Sequence, residues 1–158
     1  MKLVRYGNPG KEKPGLIDAD GKLRDLSAVV PDIGPGQLGD AALARLRKLK
    51  ADKLPLVKGS PRMGCPVAGV GKFVAIGLNY SDHAAEAGMP IPKEPIVFMK
   101  ATTCIQGPND PVMLPKGSVK SDWEVELGVV IGTRARYVSQ KDALNFVAGY
   151  CTINDVSE

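Results

Sequence analysis

"SDWEVELGVVIG", residues 121–132, reads as a β-strand interrupted by two carboxylates. Residues i and i+2 of a strand point to one face, so Glu124 and Glu126 share a face while Trp123, Val125 and Leu127 cover the other. By the same period Asp122 falls on the Glu124 side. Like charges on one face repel, and they lose hydration if that face is covered. Either the face is wet or a cation sits between the carboxylates. A further acid, Asp155, stands at the end of another apolar stretch, "YCTINDVSE" at 150–158. Carboxylate oxygens are natural ligands of Mg²⁺, Mn²⁺ or Ca²⁺, and two or three of them leave positions open for water and substrate. A solvated, acidic strand face accounts for the spacing equally well, so at this level both readings stand.

The bulk composition narrows the class. With 44% apolar and 24% charged residues the chain is ordinary globular protein, not a disordered one. Its 158 residues suit a main domain with a small appendage. The net charge of +4 is scattered, and the densest basic run, "RLRKLKADK" at 45–53, falls on an expected helix. Such a run reads as a solvated helix face, so no nucleic-acid partner is expected. The three cysteines, Cys65, Cys104 and Cys151, are far apart and form no CxxC pair. A disulfide framework is not expected, and a reducing, cytoplasmic setting is. Cys104 and Cys151 are read as small hydrophobes packed in strands. The start "MKLVRYGNPG" lacks the apolar core of a secretion signal, and no apolar run is long enough to span a bilayer, so no membrane partner is expected.

Along the chain, "MKLVRYG" and "GLIDADGKLRDL" predict short strands, with Asp20-Gly21 as a hairpin turn. "GDAALARLRKLK" predicts a helix with leucines at 43, 46 and 49 and Asp40 as its N-cap. The breaker-rich stretch 55–71 reads as a linker or crossing segment, and a boundary is placed near residue 70. Beyond it, "KFVAIGLNY" and "IVFMKA" predict strands. Between them "SDHAAEAG" predicts a short helix capped by Ser81 or Asp82 and ended by Gly88. "SQKDALNFVAGY" predicts a helix capped by Ser139.

His83, the sole histidine of the chain, lies three residues before Glu86. On a helix this spacing lets the carboxylate orient the imidazole, which makes a usable general base. An exposed ion pair on a surface helix fits the same spacing. Lys100 closes the strand "IVFMK", where it either meets an anionic substrate or ends the strand in solvent.

Taken in order, "GLNYSDHAAEAGMPIPKEPIVFMKATT", "GPNDPVMLP", "SDWEVELGVVIG" and "AGYCTINDVSE" closely resemble the catalytic domain of the fumarylacetoacetate hydrolase family. The opening "MKLVRYGNPGKEKPGLID" resembles the small N-terminal domain of its bacterial branch of 2,4-diketo-3-deoxy-sugar-acid hydrolases and ureidoglycolate lyases. The resemblance implies an α+β, β-rich fold. Residues 1–70 would form a small N-terminal α/β domain, and 71–158 the first part of a rolled mixed β-sheet catalytic domain that continues past Glu158. It implies Glu124, Glu126 and Asp155 as ligands of Mg²⁺ or Mn²⁺ (Ca²⁺ in a crystal), His83 and Glu86 as a water-activating pair, and Lys100 as a substrate contact. The implied reaction is metal-dependent hydrolysis of a carbon–carbon bond in a 2,4-diketo acid of acylpyruvate type, giving pyruvate and a smaller acid. Ureidoglycolate lyase, or an isomerase or decarboxylase of unsaturated or oxo diacids, is the alternative on the same site. The expected partners are a small carboxylate substrate and a second copy of the chain in a homodimer.

Overall fold

The computed structural model describes all residues, Met1–Glu158. In chain order the elements are β1 (Lys2–Tyr6), β2 (Lys13–Ile17), β3 (Leu23–Asp25), α1 (Asp40–Arg47), β4 (Phe73–Gly77), α2 (Ser81–Glu86), β5 (Ile96–Lys100), β6 (Val125–Ile131) and β7 (Val147–Asn154). The fold is α+β and rich in strand, and every strand pair is antiparallel. The chain divides into two compact units, Met1–Gly69 with Gly107–Glu158, and Val70–Gln106.

In the first unit, β1, β2 and β3 form a sheet in that order. The β2–β3 turn is held by Asp18, whose carboxylate accepts the amides of Asp20 at 3.0 Å and Lys22 at 2.8 Å, while Gly21 takes the left-handed φ of 78° that the turn needs. Helix α1 buries Ala42, Leu43 and Leu46, and with the equally buried Leu26, Ile33 and Leu38 these form the apolar core. Its N-cap is Gly39 rather than the expected Asp40, which is the first helical residue. There the carboxylate faces the positive end of the helix dipole without capping an amide.

The breaker-rich segment is bound to both edges of this sheet and is no free linker. Leu56 bridges to Arg24 beyond β3, and Met63 bridges to Tyr6 beyond β1. Prolines and glycines prevent a continuous strand there, but single extended residues still pair. Arg62 extends the attachment. Its Nε donates to Asp110 Oδ1 at 2.6 Å and its Nη1 to Glu12 Oε1 at 2.9 Å. Glu12 also faces Arg5 at 3.5 Å, and Arg5 Nε donates to Asp32 Oδ1 at 2.7 Å. The guanidinium of Arg62 holds the Asp110 carboxyl below its usual range, and Arg5 acts on Asp32 against the opposing effect of burial.

Strands β6 and β7 pair over their whole length, from Val125 opposite Asn154 to Val130 opposite Gly149, with a bulge after Val130. A Cβ on Gly128 would lie 2.6 Å from Ile153 Cδ1 and 2.7 Å from Cys151 Sγ, so those side chains would have to shift to admit one. The expected helix before β7 is a 3₁₀ helix, Gln140–Phe146, and "VAGY" belongs to the strand. Ser139 caps it as expected, accepting the Asp142 amide at 3.2 Å. One face of the pair is apolar and open, with Trp123 72%, Leu127 61% and Tyr150 60% exposed. Contiguous exposed apolar surface on that scale marks a face built to be covered.

In the second unit β4 pairs with β5 from Phe73 opposite Lys100 to Gly77 opposite Ile96. Leu78, at a left-handed φ of 49°, turns the chain out of β4 toward α2. A branched residue holds that conformation at a cost of about 1–2 kcal/mol. Tyr80, not Ser81 or Asp82, is the N-cap of α2. Asp82 instead accepts the His83 amide at 2.9 Å. Gly88 ends the helix at φ 64°, and the Met89 amide returns to the Ala84 carbonyl at 2.9 Å. Cys104 lies exposed in a 3₁₀ turn, Thr102–Cys104, and not in a packed strand. Cys151 is half-buried in β7, where burial pushes its thiol pKa up. No helix is long and apolar enough to cross a membrane.

Candidate active site

The register of β6 and β7 decides where the acids fall. Val125 faces Asn154 and Glu126 faces Ile153, and the pairing runs on past the strand ends. The Asp155 amide donates to the Glu124 carbonyl at 2.8 Å, and Asp122 and Ser157 exchange both backbone hydrogen bonds, at 2.9 and 3.1 Å. Directly opposed residues of an antiparallel pair share a face. Glu124, Glu126 and Asp155 therefore stand on one side of the ladder, with Asp122 and Ser157 one row beyond. This is the less exposed side. Glu124, Glu126 and Asp155 are all half-buried, whereas Val125 and Leu127 on the other side are exposed.

The three carboxylates are neighbours by backbone, but their side chains are not gathered into a three-ligand cluster. Glu124 Oε1 accepts a short hydrogen bond from the Ser157 hydroxyl, and its amide donates to Asn154 Oδ1 at 3.1 Å. Asp122 Oδ1 accepts the Trp123 amide at 2.8 Å. In donor chemistry and register the set fits a hard divalent cation: oxygen donors alone, on one strand face.

Beside these acids, Glu158 is held by a ring of donors. Its carboxylate accepts the hydroxyls of Ser118 and Ser121, and the amides of Val119 at 3.1 Å and Lys120 at 3.3 Å. The two hydroxyls and then the two amides pull its pKa down to about 2. The sequence carries no sign of this clasp, nor of the Ser157 contact, because the partners lie 33 to 40 residues apart.

The other expected residues belong to the second unit. His83 and Glu86 both lie on α2 and both are exposed, with no hydrogen bond between the ring and the carboxylate. Lys100, half-buried at the end of β5, holds its Nζ 5.8 Å from the centre of the Phe98 ring. A cleft of about 290 Å³ in the first unit, lined by Leu3, Ile33, Leu43, Val130 and Tyr150 among others, includes none of these residues.

Residues 72–158 match the family model described as fumarylacetoacetate (FAA) hydrolase C-terminal. The chain belongs to the fumarylacetoacetate hydrolase family. Across its whole length it is 65% identical to a protein of Burkholderia multivorans named as a presumed hydrolase, and it spans 56% of that relative. Three solved structures share the fold. Fumarylacetoacetate hydrolase from Exiguobacterium antarcticum superposes with a TM-score of 0.74 at 28% identity, over 99% of this chain and 56% of that one. The 5-carboxymethyl-2-hydroxymuconate delta-isomerase from Mycobacterium smegmatis gives 0.65 at 28%, over 99% and 55%. Maleylpyruvate hydrolase from Sphingobium sp. SYK-6, solved with manganese(II) and pyruvate, gives 0.77 at 23%, over 99% and 58%.

Proposed function

We propose that the protein is a divalent-metal-dependent hydrolase that cleaves a carbon–carbon bond in a 2,4-diketo acid of acylpyruvate type, giving pyruvate and a smaller acid. The observation that carries this reading is the shared face of Glu124, Glu126 and Asp155, set by the β6–β7 register in a chain of this family. These three residues would hold Mg²⁺ or Mn²⁺. A structure of the same fold that holds manganese(II) and pyruvate makes Mn²⁺ the first ion to try. A bound divalent ion supplies Lewis-acid stabilisation of the negative charge that develops on oxygen.

The chain's own residues supply the rest. His83 takes a proton from water, and the resulting hydroxide adds to the distal carbonyl carbon. Glu86, one helical turn on, orients the imidazole and stabilises it once it is protonated. The carbon–carbon bond then breaks, its electron pair leaves as the enolate of pyruvate, and the proton held on His83 neutralises that carbanion. Lys100 binds the substrate carboxylate.

The test follows loss of the diketo-enol absorbance of a simple acylpyruvate on the complete protein, with Mg²⁺ or Mn²⁺ and then with excess EDTA. Metal-dependent loss with pyruvate formed supports the hydrolase. A second reading, isomerisation of an unsaturated diacid, draws on the likeness to the muconate isomerase. It is favoured if metal binds, acylpyruvate is untouched and a hydroxymuconate-type diacid shifts its double bond.

A further inference from the structure

We propose that Ser157 is a positioning residue for the Glu124 carboxylate, fixing which of its oxygens faces a divalent ion; this rests on the metal-site reading above. A glutamate side chain has three rotatable bonds, and on an open strand face it samples several rotamers. Here the Ser157 hydroxyl donates to Glu124 Oε1, which leaves Oε2 for a further ligand. Ser157 can do this because the ladder continues past β7. Its backbone pairs with Asp122 in both directions, at 2.9 and 3.1 Å, and the register sets its side chain on the face of Glu124 and Asp155.

The next residue anchors that geometry. Glu158 ties the chain after β7 to the loop before β6 through Ser118, Val119, Lys120 and Ser121. The Asp122–Ser157 bridge thus lies between two fastenings, the clasp on one side and the Asp155–Glu124 bond on the other. A hydroxyl that orients a ligating carboxylate is worth about 10–100-fold in metal affinity. Ser157 is exposed, so replacing it removes no core packing.

The experiment is a Mn²⁺ titration of the full chain, followed by loss of the free-ion electron paramagnetic resonance signal, for wild type, S157T, S157V and S157A. Thr and Val have nearly the same shape and differ in hydroxyl against methyl. S157T should bind within about threefold of wild type, and S157V and S157A about 10–100-fold more weakly. Equal affinity of S157T and S157V, or wild-type affinity in S157A, overturns the proposal. No saturable Mn²⁺ binding by wild type overturns the metal-site reading, and the role of Ser157 falls with it. Melting curves of the metal-free variants report any loss of fold separately.

Discussion

Glu124 and Asp155 stand opposite each other just past the ends of β6 and β7, joined by the Asp155 amide donating to the Glu124 carbonyl at 2.8 Å. The bond sets the spacing between two acids 31 positions apart in sequence, with Glu126 two residues further along the same face. Like charges on one face repel, and a divalent ion between them would relieve that repulsion. Replacing Glu124 or Asp155 by Ala should weaken Mn²⁺ binding at least tenfold by the same paramagnetic titration. The metal-free melting temperature should stay level or rise as repulsion is removed. Unchanged Mn²⁺ affinity in both variants would refute their role as ligands.

His83 has a different signature. It is exposed on α2, so H83A should leave melting and Mn²⁺ affinity as in wild type. Loss of a general base costs about 10²–10⁴-fold in turnover, and the acylpyruvate assay reads that loss directly. E86Q should lower turnover less than H83A, since it removes the partner and keeps the base. Full activity in H83A removes the proposed water-activating pair.

The Glu158 clasp predicts a pH dependence. Its pKa is about 2 in the folded chain against an ordinary 4.5, so the ionised form is the one folding favours. The stabilisation is therefore complete above pH 4.5 and is lost as pH falls from there through about 2. Wild type should melt higher than E158Q at pH 7, and the gap should close across that acid range. Asp32 and Asp110, also held below their usual range, add to the acid lability of both proteins and cancel in the comparison. A gap as wide at pH 2 as at pH 7 would contradict the clasp.

Stability should track the two kinds of apolar surface. Leu46, 3% exposed on α1, should cost about 2–5 kcal/mol as L46A in urea unfolding. Val129, on the open face of β6 and 49% exposed, should stay within about 0.5 kcal/mol as V129S. A large loss in V129S would show that the face is already packed.

A last site tests how β6 joins the rest of its unit. The Gly132 amide donates to the Phe146 carbonyl at 2.8 Å, and a Cβ there would run into the Leu38 carbonyl and lie 2.8 Å from Ala148 Cβ. Backbone cannot yield as a flexible side chain can, so G132A should lower stability by about 1–3 kcal/mol. G149A, where a Cβ meets open space, is the control.

Much of this was legible in the order of residues. Alternation in "VELGVV" separated an acidic face from an apolar one, and the β6–β7 ladder keeps that separation, because strand period two is local geometry. Asp20-Gly21 marked its hairpin and Gly88 its helix end for the same reason: each depends on backbone preferences of a few neighbours. Caps were less legible. Asp40 and Ser81 are good capping residues that sit one position inside their helices, with Gly39 and Tyr80 at the caps and no side-chain cap bond, whereas Ser139 does cap its turn.

What the sequence by itself determined is that Glu124 and Glu126 share a face, that Leu43 and Leu46 are core, and where the chain turns, all set by periodicity and local conformation. Leu49, expected on the same helix, lies past its end at Arg47 and is half-buried. Tertiary structure alone decided the pairing of Glu124 with Asp155, the Ser157 hydroxyl on Glu124, and the donors around Glu158. It also bound the breaker-rich segment to both sheet edges through Leu56 and Met63. The physical reason is register. Which residue opposes which across two strands depends on every hydrogen bond of the ladder at once, and a one-residue slip would turn each side chain to the other face.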